Sequence, residues 1–149
     1  MRKRMLFVLL IATAAAAQPP NHASGCSAAT LRGDYLYAQD GFHVVGSDAK
    51  SRTPFAQSGR ESYDGAGKMK GIYTSSENGV ITRGSYTATY TMKSDCSGSL
   101  TITDSSKKTF HYDYFTNGDG AEIVWVQTDP GSVSAGWERH RPGPPPPPR

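Results

Sequence analysis

Cysteine is scarce in this sequence: Cys26 and Cys96 are the only two among 149 residues. Neither has His, Cys or carboxylate neighbours at metal-ligand spacing, so no metal site is expected and no cofactor is implied. In an exported chain, an even pair reads as one disulfide, here closing a loop of about 70 residues. Long apolar runs are also missing. The longest, Met5 to Ile11, falls short of the roughly 20 residues that span a bilayer. It lies between a basic start (Arg2, Lys3, Arg4) and an Ala-rich stretch. That is the plan of a secretory signal peptide, with cleavage expected after Ala17 and with Ala15 and Ala17 as the small pair. A lipoprotein reading of "ASGC" fits less well, because Ala23 stands where Leu is usual and polar "QPPNH" intervenes.

Charge of one sign is absent as well. The full chain carries +3, and Arg2, Lys3 and Arg4 account for it. The mature chain is left with 13 basic and 13 acidic side chains. A chain near neutrality lacks the electrostatic footprint of a nucleic-acid or anionic-membrane binder. No window beyond the leader repeats apolar residues at three and four, so helices are not expected. No serine sits in a G-x-S-x-G elbow. "GAGKMKG" lacks the spacing of a phosphate loop, and no helix follows it. Without a catalytic motif, the chain reads as a binding protein rather than an enzyme.

What remains is a series of extended runs between turn signals. The turns are "QDG", "YDGAGK", "SENG", "KSDCSG", "DSSKK", "TNGDG" and "TDPGS". They are rich in Gly, Asn and Asp, which tolerate positive φ. The runs are Leu31–Gln39, Thr53–Tyr63, Lys68–Ser75, Val80–Lys93, Ser97–Asp104, Thr109–Thr116, Ala121–Thr128 and Val133–His140, and "GFHVVG" extends the first or adds a short piece. About eight short strands with tight connections predict an all-β, antiparallel up-and-down barrel, with an open β-sandwich as the alternative. The expected organisation is a signal peptide over 1–17, a lead with Cys26 over 18–30, the barrel over 31–141 and a Pro-rich tail over 142–149.

Alternation assigns the faces. "VITRGSYTATYTMK" groups Gly84, Tyr86, Ala88, Tyr90 and Met92. Other strands group Leu31, Gly33, Tyr35 and Tyr37; Phe55, Gln57, Gly59, Glu61 and Tyr63; Gly98, Leu100 and Ile102; and Phe110, Tyr112 and Tyr114. "AEIVWVQT" is apolar on both parities, so either Ile123 and Trp125 or Val124 and Val126 face in. The interior is therefore rich in Tyr and Gly and poor in Leu and Ile. A buried tyrosine must place its hydroxyl on a partner, which suits a polar cavity better than a dry core. The candidate ligand-binding residues are Tyr35, Glu61, Tyr63, Tyr86, Tyr90, Tyr112 and Tyr114. Glu61 is the residue most out of place. Inside a barrel its pKa would rise, and it would anchor a polar group or, in an enzyme, act as a base. His111 and Asp113 share the opposite, outward face and read as a solvated pair. The Pro-rich tail reads as an extended spacer, with docking to a protein partner as its alternative role.

Three stretches, "PFAQSGRESYDGAGKMKG", "NGVITRGSYTATYTMKSDCSGSLTI" and "VQTDPGSVSAGWERH", together resemble a group of small exported bacterial proteins. Their barrel is similar to the calycin and allene oxide cyclase-like barrels. The likeness covers about Cys26 to Arg141, and its motifs specify a fold better than an activity. It implies a lumen for a small apolar or amphipathic molecule, and by analogy a cofactor-free cyclase or isomerase. The group has an apolar residue where this chain has Glu61. A third reading is an envelope or surface module with a solid barrel. In each case the expected location is periplasmic or extracellular.

Overall fold

The structure is a computed structural model and describes residues 25–44 and 51–143. The leader, its cleavage site, the lead before Gly25 and the tail beyond Gly143 lie outside the described residues. A short 3₁₀ turn, Ala28–Thr30, leads into eight strands: β1 Arg32–Val44, β2 Arg52–Asp64, β3 Lys68–Glu77, β4 Val80–Met92, β5 Ser97–Asp104, β6 Thr109–Thr116, β7 Glu122–Gln127 and β8 Ser132–His140. Each pairs antiparallel with its neighbour in sequence, and β8 returns to β1 from Tyr35↔His140 to His43↔Ser132. The sheet is thus a closed up-and-down barrel, not an open sandwich. Closure removes the unpaired edges that an eight-stranded meander would otherwise expose. β1 runs on through "GFHV", so that stretch continues the first strand.

Turn chemistry sets the register. Asn78 and Gly79 both take positive φ (47° and 86°), as a two-residue hairpin between β3 and β4 requires. Asp64 Oδ1 accepts the backbone N–H groups of Ala66 and Lys68, and Asp104 Oδ1 does the same for Ser106 and Lys108. These side chains hold the β2–β3 and β5–β6 turns.

The apolar ambiguity of β7 resolves with Ile123 and Trp125 buried and Val124 and Val126 exposed. The inward faces show a second regularity. Tyr37, Tyr86, Tyr73, Tyr114 and Trp125 stand directly across from Gly59, Gly71, Gly84, Gly98 and Gly136 on adjacent strands. A Cβ at any of these glycines would approach the ring to between 2.4 and 2.8 Å. Each ring therefore lies over a bare patch of backbone along the barrel wall instead of pointing at the axis.

One end of the barrel is closed. Leu31, wholly buried, packs there with Tyr35, Tyr63, Met69, Tyr90 and Tyr114. Hydroxyls tie this plug to the backbone: Tyr35 donates to Gly120 O (2.8 Å), Tyr90 to Ala28 O (2.9 Å) and Tyr114 to Thr91 O (2.6 Å). Cys26 and Cys96 form a disulfide with Cα atoms 4.9 Å apart, 70 residues apart in sequence. It fastens the entering segment to the β4–β5 turn, where Cys26 N–H also bonds Ser94 O at 3.1 Å. Such a bond belongs to oxidising surroundings.

Loop-closure entropy gives a disulfide of this span roughly 4 kcal/mol. The paired replacement Cys26→Ser and Cys96→Ser should lower the unfolding free energy by about 2–4 kcal/mol, read as a fall in urea midpoint. An unchanged midpoint would show that the plug holds without the staple.

Candidate functional site

Above the plug the barrel is hollow. A cavity of about 800 Å³ opens at the end where β1, β3, β5 and β7 finish. Its walls carry Tyr37, Tyr73, Tyr86, Tyr112 and Trp125, with Gln39, Gln57 and Gln127 between them, and Glu61 and Glu138 lie at its base. Its rim carries both signs of charge: Glu77, Asp104 and Asp129 against Arg83 and Lys108.

Of the seven candidate tyrosine and glutamate positions, the cavity brings together Glu61, Tyr86 and Tyr112. Tyr35, Tyr63, Tyr90 and Tyr114 stand below it in the plug, where three of the four are tied to backbone carbonyls. Tyr63 instead links the plug to the acidic base of the cavity. Glu138 is the functional residue that sequence reasoning missed. Gly136 carried the signal: if glycines face inward opposite rings, Glu138 two residues on must face inward too.

Glu61 on β2 and Glu138 on β8 flank β1, opposite Tyr35 and Tyr37 respectively. Both are almost fully buried, at 5% and 1% exposure. One hydroxyl, that of Tyr63, reaches both carboxyl groups, at 2.9 Å from Glu138 Oε2 and 3.3 Å from Glu61 Oε2. Two carboxylates this close and this deeply buried would repel one another, so the pair favours holding a proton. Burial, and then the charge of Glu61, hold Glu138 well above the ordinary carboxyl range. Burial also raises Glu61, while hydrogen bonds from Tyr86, Glu138 and Tyr63 oppose that rise. Both carboxyl groups are thus biased toward the protonated form, and they titrate as a pair.

Tyrosines complete the arrangement. Tyr86 donates to Glu61 Oε1 at 2.5 Å. Tyr63 donates to Glu138 Oε2 at 2.9 Å, with Glu61 Oε2 farther off at 3.3 Å. Tyr37 accepts the Gln57 side-chain N–H at 2.7 Å, and its ring meets that of Tyr86 edge to face with centroids 6.4 Å apart. Gly71 makes this possible: it lies between Glu61 and Tyr86 in register, and its missing side chain lets the Tyr86 ring cross β3. Burial pushes the Tyr37 hydroxyl up to about 12, and burial with the Glu61 charge raises Tyr86 further. These hydroxyls stay protonated donors.

Two buried polar atoms on the cavity wall have no hydrogen-bond partner: Gln39 Oε1 and Trp125 Nε1. The Trp125 indole N–H lies near enough to Glu138 to lower its pKa, yet it is not aligned on that carboxyl. Gln127 is satisfied, by Ser134 at 3.0 Å and Asp129 at 2.9 Å. His111 bonds Asp129 at 2.7 Å rather than pairing with Asp113. Among the described residues no three metal-ligating side chains cluster, and no helix is long and apolar enough to cross a membrane.

Comparison with protein-family models, curated proteins and solved structures returns no match to this chain.

The sign of the pH dependence follows from the pair. A carboxyl whose folded pKa is raised contributes stability that is fully present below its unfolded value, and that stability is lost as pH rises through the folded value. Asp64, lowered by the Lys68 and Ala66 N–H groups, and Asp95, lowered by Ser97, act with the opposite sign in acid. The unfolding free energy should therefore fall as pH rises above the ordinary carboxyl range, with a limiting slope near 1.4 kcal/mol per pH unit for one proton, read as a falling melting temperature. Glu138→Gln should flatten that decline. A wild-type profile already flat over this range would contradict a proton-sharing pair.

Proposed function

We propose that the protein is an exported barrel, periplasmic or extracellular, that holds a small, partly apolar molecule in its lumen. The observation that carries this is the open cup of about 800 Å³ with aromatic walls and two unpartnered polar atoms, Gln39 Oε1 and Trp125 Nε1. Small-molecule sites are typically concave, largely apolar and about 300–1,000 Å³, with a few polar groups that fix orientation. A buried polar atom without a partner costs stability, and a ligand that meets it recovers that cost. The disulfide supports export, and the likeness to calycin-type barrels supports the same use of the lumen.

The cofactor-free cyclase or isomerase reading shares this cavity and draws on Glu61. It fares less well because Glu61 already accepts a hydrogen bond from Tyr86. A carboxylate held by strong donors is a weaker base and a better fixed charge. The surface-module reading draws on the outward row Phe115, Val124 and Trp137, in register across β6, β7 and β8. It leaves the hollow interior without a use.

Native mass spectrometry of the mature protein, residues 18–149, purified without detergent from its natural export route, tests the proposal. The expected result is extra mass that leaves on gentle activation. A bare mass, with no uptake from an extract of apolar metabolites, would contradict it.

A further inference from the structure

We infer that the molecule held in the cup carries a protonated nitrogen, an organic ammonium or amidinium, that docks on Glu61 with its apolar part against Trp125 and Tyr112. This rests on the lumen-binding reading and narrows it to a chemical class.

The base of the cavity holds two buried carboxyl groups, Glu61 and Glu138, whose hydrogen-bond partners are neutral hydroxyls and not cations. The groups facing the pair are Tyr35 and Tyr37 on β1, Tyr63 on β2, Tyr86 on β4, Tyr112 and Tyr114 on β6, and the Trp125 indole on β7. All are neutral. The ion pairs among the described residues, His111–Asp129 and Arg139–Glu122, are elsewhere. The nearest cavity-lining cations, Arg83 and Lys108, belong to the rim strands and turns rather than the base. A buried charge without a counter-ion is costly, and a ligand cation supplies one.

Capacity and access agree. A carboxylate has about four acceptor positions. Tyr86 donates to Oε1, and the single Tyr63 proton goes to Glu138 at the shorter distance, so Glu61 keeps acceptor positions for an incoming N–H. Glu61 and Glu138 both line the cavity, and Glu61 is the more exposed of the two, at 5% against 1%. Above it, Trp125 and Tyr112 pack edge to face with centroids 5.0 Å apart. Aromatic faces attract organic cations as well as apolar rings. Gln39 Oε1, 91% buried and facing the same cavity, lacks a donor, and Trp125 Nε1 lacks an acceptor. The site thus wants positive charge at its base, a further N–H or O–H for Gln39, and one acceptor for Trp125. An anionic amphiphile such as a fatty acid would place a second negative charge against the first. Binding a cation also favours ionisation of Glu138, so amine binding is coupled to proton release.

The test is calorimetric titration of the full mature chain with tryptamine, its neutral isostere tryptophol, and laurate. The expected result is that tryptamine binds at least about tenfold tighter than tryptophol. Its affinity should climb between about pH 5 and 8, with up to about one proton released, while that of tryptophol stays flat. Glu61→Gln should remove the tryptamine advantage and leave tryptophol unchanged. Should that variant fail to fold, the wild-type pH comparison decides alone. Tryptophol or laurate binding as tightly as tryptamine would overturn the amine inference and leave lumen binding standing. If none of the three enters but the neutral dye Nile red does, the inference again fails by itself. If Nile red is also excluded, the lumen reading fails with it.

Discussion

The hollow in this barrel depends on rings laid over glycines. Eight strands enclose a space that ordinary inward side chains just fill. Here Tyr37, Tyr73, Tyr86, Tyr114 and Trp125 each face a glycine across the sheet. With no Cβ opposite, each ring lies flat on the neighbouring strand. Large residues become thin wall, and the axis is left open. The same geometry carries the Tyr86 hydroxyl sideways along the wall to Glu61. A methyl group at Gly71 would displace Tyr86 and break that bond.

The carboxyl pair follows from this wall. Two acids so fully buried would repel one another as carboxylates and would each lose hydration. Sharing one proton removes the repulsion, and the donors Tyr63 and Tyr86 replace water. Below them the plug and the Cys26–Cys96 bond seal the barrel on the closed side. What results is a cup with an acidic base, aromatic sides and a rim of mixed charge.

Much of this was legible in the sequence because period-two alternation is a local signal. It placed Tyr86 and Tyr90 on one face, put Glu61 inside with Tyr63, and located each strand through its flanking turns. Two things were not local. "AEIVWVQT" is apolar on both parities, and only closure against β6 and β8 decides that Trp125 faces in while Val124 faces out. "SAGWERH" misleads for the reverse reason: Trp137 is exposed and Glu138 buried, against their usual preferences. Which tyrosines line the cavity and which plug its end also depends on position along the barrel axis. Alternation carries no information about that. Nor did the sequence reveal the acidic base, because Glu138 acquires meaning only beside Glu61.

The central claim is that a neutral carboxylic acid persists beside a carboxylate at the base of this cup. Infrared difference spectroscopy at neutral pH tests it most directly, through the carbonyl stretch that a protonated carboxyl shows and a carboxylate does not. The account predicts such a band in the wild-type protein, shifted by deuterium exchange and lost in Glu138→Gln. A wild-type spectrum at neutral pH with carboxylate bands alone would contradict it.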